Sequence, residues 1–597
     1  MKDSNNDNLQ SFLRQTGKKG GELELITPIL KEGKRLLTSN KIPKAKALES
    51  AQEIVILGGG IAGLTLAYEF LNHPEKYRVT ILEAENRLGG RSLTLRPGDS
   101  FTEYTNHITQ TCEFDTAGVT GVPYLNAGPG RIPSGHRNVL NYCKALNVDL
   151  EVYVMESRSN LMKTITGFGG TPVVDRQLAN DPRGYFAEYL YQNAAVFLKY
   201  MNTRQDKEKI TDDDIKKLQE WLTSFGALDE QGRYVGSSRS GYEKLPGTEE
   251  GIVEPPLPFK EILESVFWEL NFYQPEDFLW QQTSFQPVGG MDKIVQALER
   301  EVMKKGGIVH LDSPVQEIKR VGNEWYIKYG EKGAIKANIC VSNIPIPLLK
   351  NMVGEKDFSK NYWLALNTVI NTKGFLRPTC KVGWQSDRKY WQDPIDEQTV
   401  PIFGGISRIQ PNKMEQMWYP SNDYHDNTGI LTGAYNYGSK AEEWGKENPD
   451  ARMKEARAGA AKLHGKEFAT QLRHGLSIAW QNIKSQQGGW VDWEKVTGPQ
   501  ETLKTSIPSN RVHYDRVRSL VLKTEPEKGS SEWCYNELQK EDNGFFITGD
   551  QVSHLPGWQE GAMASALQIY GMVEHPTHIL PLKLYKVPST RALVEGR

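Results

Sequence analysis

Cysteine is scarce in this chain of 597 residues, with five in all. They stand apart at Cys112, Cys143, Cys340, Cys380 and Cys534, and no C-x-x-C pair occurs. An odd, scattered set excludes a disulfide framework and a cysteine zinc site, and it suits a reducing compartment. Charge of one sign is also missing, since the formal net charge is −2 and the pI about 6.6. No basic field is present for nucleic acid as a main partner. Long hydrophobic runs are absent as well. The most apolar stretch, Ile54 to Leu71, is broken by three consecutive glycines, which argues against a membrane span. The first residues, MKDSNNDNLQSFLRQ, are polar and carry no signal-peptide core, so the expected location is the cytoplasm. There is no internal repeat, P-loop or nucleophile elbow. The His575-Pro576-Thr577-His578 pair lacks neighbouring ligands, so no metal is expected.

What is present begins at residue 53: EIVILGGGIAGLTLAYEFLNHPEKYRVTILEAENRLGGR. Ile54 to Leu57 reads as a buried parallel strand. A glycine turn follows, then a helix to about Leu71, then a second apolar run, Val79 to Leu82, that ends at Glu83. This is a βαβ unit with G-x-G-x-x-G at its turn. Gly58 permits the tight turn, Gly60 lets the backbone approach a pyrophosphate, and Gly63 lets the helix pack closely. The helix N-terminus at Ile61 and Ala62 offers N–H groups to phosphate. Glu83 can accept from an adenosine ribose.

The continuation, Glu83-Ala84-Glu85-Asn86-Arg87-Leu88-Gly89-Gly90-Arg91, resembles the extended fingerprint of the flavin-containing amine oxidase superfamily. The resemblance implies FAD, with Glu83, Ala84, Arg87, Gly89, Gly90 and Arg91 along the cofactor. Four further blocks resemble that superfamily, and those of Arg131 and Tyr435 resemble its L-amino acid oxidase branch. In Gly128-Pro129-Gly130-Arg131 the turn would pass under the flavin, and Arg131 would clamp a substrate carboxylate in bidentate fashion. His136 matches that motif too, in a catalytic or an orienting role. Lys381 stands on a strand whose lysine would hold a water against the flavin. Tyr435, or its neighbour Tyr437, would join the arginine on the carboxylate. In the last block Gly549-Asp550 would meet the ribityl or pyrophosphate region. Gly557, Trp558, Gln559 and Ala562 would bring a helix N-terminus to the flavin, with Trp558 walling the pocket. Val315 would meet the adenine through its backbone. No cysteine occupies the position of the covalent flavin link known in the superfamily, so noncovalent FAD is implied.

The expected architecture is α/β. A GxGxxG Rossmann-like FAD-binding domain would be built from residues 51–130, 283–350 and 526–575. It interleaves with an α+β substrate-binding domain, 131–150 and 351–525, and the run Ala337 to Asn343 of the FAD-binding domain resembles the strand that closes its sheet. Residues 151–282 read as a helical insertion, with helices near Tyr189 to Tyr200 and Asp213 to Phe225. Residues 1–50 read as an arm and 576–597 as a tail. The resemblance implies oxidative deamination of an L-amino acid to the 2-oxo acid with ammonia and hydrogen peroxide, oxygen as second substrate, and a homodimer. A polyamine or monoamine oxidase, an amino acid 2-monooxygenase and a flavin-binding scaffold are the alternatives. The 14 Trp and 25 Tyr offer apolar walls for a large side chain, and Glu156 or Asp423 could select a basic one, although no motif places either.

Overall fold

The computed structural model describes residues 51–204, 210–280, 283–393, 401–410, 412–496 and 526–574. The expected arm, the tail and the 497–525 part of the expected substrate domain lie outside the described residues. Among them, no helix is long and apolar enough to cross a membrane.

Five parallel strands form the nucleotide-type sheet. Their order is Ile308–His310, Tyr77–Leu82, Gln52–Leu57, Ile339–Ser342, Phe545–Ile547. The glycine turn after Leu57 leads into helix Ile61–Phe70, as the motif requires. Gly58 adopts φ +101°, open to glycine but strained for other residues. A Cβ on Gly63 would lie 2.3 Å from the Gly58 carbonyl oxygen, so helix and turn meet only through a bare backbone. The run Ala337 to Asn343 contains a strand of this sheet but does not close it. Ile339–Ser342 pairs on both sides, and the edge belongs to Phe545–Ile547.

Both faces of the sheet are covered, which is why its strands read as continuous apolar runs. Ile54 and Ile56 point to helices Ile61–Phe70, Lys293–Lys304 and Gln559–Glu574. Val55 and Leu57 point the other way, toward Trp325, Tyr362 and Phe545. Trp325 belongs to a three-stranded antiparallel sheet, Val315–Val321, Glu324–Tyr329 and Gly333–Ala337. Each such buried aliphatic side chain contributes about 1.5–3 kcal/mol.

A seven-stranded sheet stands beside it, in the order Val173–Val174, Leu161–Lys163, Ile406–Ile409, Gln416–Trp418, Gly429–Tyr437, Thr379–Ser386, Leu472–Ala479. A third sheet joins Ile132–Pro133, Thr283–Pro287 and Leu150–Val154. The helical stretch proper comprises Asp175–Gln192, Ala194–Asn202, Asp212–Gly226 and Phe259–Ser265. The short strands near 161 and 173, inside the expected insertion, belong to the seven-stranded sheet. Thr211 and Asp214 cap helix Asp212–Gly226 with a reciprocal capping box.

Candidate active site

The strand order changes direction between Gln52–Leu57 and Ile339–Ser342. From the first the chain steps outward to Tyr77–Leu82 and Ile308–His310; from the second it steps to Phe545–Ile547. Such a switch point opens a crevice at the carboxyl ends of the strands. A cavity of about 350 Å³ lies there. Gly58, Gly60, Ile61, Ala62, Glu83, Ala84, Gly89, Gly90, Arg91, Gly128, Pro129, Val315, Gly549, Asp550, Gly557, Trp558, Gln559 and Ala562 all line it. Motifs separated by some 500 positions thus meet in one cavity.

Four residues expected along the cofactor stand apart from it. Gly63 packs the helix onto the turn behind it. Arg87 folds back on its own loop, donating to the carbonyls of Leu88 at 3.2 Å and Gly90 at 2.7 Å. Two of its N–H groups thus shape the Gly89-Gly90 turn. Gly130 and Arg131 line a second cavity instead.

The nucleotide half fits a dinucleotide on its own chemistry. Helix Ile61–Phe70 has no side-chain cap, so its first-turn N–H groups are open to an anion. Glu83 is buried beside them. Its Oε2 accepts from Gly59 N at 2.7 Å and its Oε1 from Glu85 N at 2.9 Å, leaving further lone pairs for a ribose. Burial pushes its carboxyl pKa up, and the two N–H donors oppose that. Gln559 Oε1, at the start of the last helix, is buried with no partner. Gln559 Nε2 meanwhile donates to Ser92 Oγ at 2.9 Å. An orphaned acceptor at a helix N-terminus inside a cavity is what a bound polar ring would satisfy.

Arg91 and Asp550 form an ion pair across the cavity floor, and Asp550 Oδ2 also accepts from Gly557 N at 2.8 Å. Arg91 Nη1 donates to the Gly489 carbonyl at 2.7 Å. Asp550 therefore ties two of the motifs together. Gly128 sits so close to Arg91 that a Cβ would lie 1.8 Å from the Arg91 carbonyl oxygen.

The second cavity, about 450 Å³, opens beyond the first. Gly128, Pro129, Lys381, Tyr435, Trp490, Gly557 and Trp558 line both, and they mark the boundary. The seven-stranded sheet places two of them. Lys381 and Tyr435 are direct cross-strand partners in antiparallel strands, so their side chains share one face. Lys381 Nζ lies 4.9 Å from the Tyr435 ring centre. Lys381 is 7% exposed and donates to the carbonyls of Asn126, at 3.1 Å, and Gly128. Burial lowers its pKa to about 7, with Arg131 adding to the effect.

Arg131 is 8% exposed. Its guanidinium carbon lies 4.5, 5.3 and 5.0 Å from the ring centres of Trp280, Trp418 and Trp558. Its Nε and Nη2 are buried and make no hydrogen bond. Desolvation lowers its pKa to about 10, with Tyr153 and Tyr435 opposing. An aromatic cage favours a cation, while two idle donors ask for an anion. Tyr435 packs edge-on to Trp418 with ring centres 5.7 Å apart. Tyr437 lines only the second cavity, beside Trp490 and Arg377.

His136 lies behind this wall. Its ring stands edge-on to Trp558 at 4.8 Å, and it lines neither cavity. Burial lowers its pKa to about 4, helped by Arg131 and His554. It is a neutral support for Trp558. None of the five cysteines lines either cavity; all are buried and free.

Sequence reasoning missed Asn343, Trp280, Trp418, Trp480 and Trp490. Asn343 follows strand Ile339–Ser342, and its Nδ2 donates to the Gly58 carbonyl at 3.3 Å, bracing the phosphate turn. Its place at the end of the expected run Ala337 to Asn343 was an available signal. The tryptophans had none, because each comes from a separate element.

Comparison with known proteins agrees with this geometry. The family model for flavin containing amine oxidoreductases matches residues 61–569. The chain is 25% identical over 412 residues to the L-amino acid oxidase bordonein-L of Crotalus durissus terrificus, covering 65% of this chain and 67% of that one. It is 24% identical over 424 residues to an L-amino-acid oxidase of Gloydius blomhoffii, covering 66% and 70%. Among solved structures it resembles putrescine oxidase bound to putrescine, with TM-score 0.52 and 13% identity, over 88% of this chain and 99% of that one.

Proposed function

The chain belongs to the family of flavin containing amine oxidoreductases, and from that premise we propose that it is an FAD-dependent L-amino acid oxidase. The reaction is oxidative deamination of the amino acid to the 2-oxo acid, with ammonia and hydrogen peroxide as the other products. The observation that carries this reading is Arg131, a buried guanidinium whose Nε and Nη2 have no partner in a cavity next to the nucleotide crevice. A carboxylate there recovers the hydrogen bonds that burial has forfeited. An amine without a carboxylate would leave both donors empty.

The first cavity would hold FAD noncovalently. Ile61 and Ala62 would face the pyrophosphate, Glu83 the ribose and Val315 the adenine. The Lys381–Tyr435–Trp558 boundary would face the isoalloxazine. FAD supplies the hydride acceptor; the protein supplies position and electrostatics.

Arg131 fixes the carboxylate, and Tyr435, on the adjoining wall, restricts its rotation. Arg131 and Lys381 make this end of the cavity positive. No carboxylate is felt at Arg131, where only Tyr153 and Tyr435 act against burial. A substrate ammonium is disfavoured there and the reactive neutral amine favoured. The tryptophans exclude bulk water from the α-carbon. Lys381, with its pKa near 7, can hold or release a proton at Nζ close to neutral pH.

The test is anaerobic mixing of the yellow holoenzyme with single L-amino acids and with polyamines. Bleaching by amino acids, with the 2-oxo acid and peroxide formed in air, supports the assignment. Bleaching by amines alone, or an amide product with carbon dioxide, sinks it. Arg131→Met, which keeps packing between the tryptophans, should lower kcat/KM on the order of 100-fold. An unchanged value removes Arg131 from the site.

A further inference from the structure

The two ends of the second cavity differ in charge. At the inner end stand Arg131 and Lys381. Asp423 and Asp426 also line the cavity, and neither acts on Arg131. They act instead on Lys389, and Asp423 acts on Tyr124 and Glu151 as well. Lys389, bonded to Asp423, packs against Gly429, six positions along strand Gly429–Tyr437 from Tyr435, so Asp423 sits remote from the carboxylate anchor.

These acids are not equivalent. Asp426 is committed to Thr120, accepting from its backbone N at 2.8 Å and from its hydroxyl. Glu151 accepts from Gln286 Nε2 at 2.9 Å and lines neither cavity. Asp423 is exposed, and its carboxylate receives the Asn422 amide at 2.6 Å. Among the described residues no Lys or Arg nitrogen comes within ion-pair distance of it. Lys389 is buried beside it, yet its Nζ donates to the Asp423 backbone carbonyl and not to the carboxylate. Asp426 N also donates to that carbonyl, at 3.0 Å. These bonds hold Asp423 at φ +49°, a left-handed conformation that Asp and Asn tolerate best. Glu156, the other acid the sequence offered, pairs with Arg158 at 3.0 Å and lines neither cavity.

We propose that Asp423 reads the substrate side chain and selects L-amino acids carrying a distal cation, such as lysine, ornithine or arginine. The inference rests on the amino acid reading of the site. One cavity holds an unpartnered guanidinium at one end and a carboxylate without a cationic partner at the other. A molecule with a carboxylate and a remote cation complements both ends. Gln274, Gln416 and Tyr153, also in the lining, offer a polar and aromatic path for a methylene chain between them.

The experiment compares L-lysine with L-norleucine, which has a similar chain and no cation, in the wild-type holoenzyme and in Asp423→Asn. Asn keeps the left-handed backbone accessible, so loss of folding is not expected. The wild type should prefer L-lysine. The variant should lose about fivefold in kcat/KM for L-lysine, mostly through KM, and stay within twofold for L-norleucine. Asp423 faces solvent, so the wild-type preference should shrink as salt is added. Wild-type preference for L-norleucine, or a variant that keeps the preference for L-lysine, overturns the assignment of Asp423 while leaving amino acid oxidation intact. Failure of every amino acid to reduce the flavin is the separate result that overturns the reading beneath it.

Discussion

Lys381→Met should change how stability depends on pH. Lys381 is buried with no acidic partner, and two backbone carbonyls hold its Nζ. Its pKa falls from 10.5 to about 7. In the unfolded chain the amine stays protonated up to about pH 10. Between pH 7 and that point the unfolded state binds the extra proton, so raising pH favours the folded state. Below pH 7 both states are charged, and the folded state carries the full desolvation penalty. Integrating between pH 7 and 9, the wild type gains about 2 kcal/mol relative to the methionine variant. For a chain of this size that is about 2 °C in Tm. The assay is thermal unfolding of both holoenzymes at pH 7 and 9, taking the difference of differences so that shared titrations cancel. Methionine also leaves the Asn126 and Gly128 carbonyls unpaired, which lowers Tm at both pH values without altering the slope. Parallel pH profiles would refute the reasoning, as would a wild type that loses ground on going to pH 9.

Two further outcomes follow from the site. Gly128→Ala places a Cβ 1.8 Å from the Arg91 carbonyl oxygen, and backbone must move; the purified protein should contain less than half the flavin of the wild type, measured by its absorbance against protein. His136→Phe should leave the kcat profile between pH 5.5 and 8 unchanged in shape and lower kcat less than about threefold, because burial holds its pKa near 4 and the ring serves to support Trp558. A new inflection in that profile would assign His136 a proton.

The legible parts of this molecule were those whose reasons are local. A glycine must stand at 58 because φ is +101°, and the strand and helix around it repeat with their own periods. Arg87 shows how little such locality says of a side chain's direction, for its guanidinium turns back to the carbonyls of Leu88 and Gly90. The cage around Arg131 was not legible. Trp280 precedes a strand of one sheet, Trp418 ends a strand of another and Trp558 directly precedes a helix. Only tertiary packing brings them within 6 Å of one guanidinium. Asp423 was named from its charge but needed the cavity to separate it from Glu156.

The interleaved parallel sheet also dictates a timetable. Its first two strands are complete by residue 82, its third and fourth arrive with 308–342, and its edge, Phe545–Ile547, comes more than 200 positions later. During synthesis, Ile339–Ser342 must wait with one row of backbone groups unpaired while five strands of the seven-stranded sheet are made. Long-range parallel pairing is slow to form, and an open apolar edge invites association with other chains. The cavity at the switch point cannot close until Asp550 arrives to meet Arg91. A messenger truncated before codon 545 would therefore yield neither a small nucleotide-binding protein nor a partial enzyme, but a chain with a sticky strand and half a pocket.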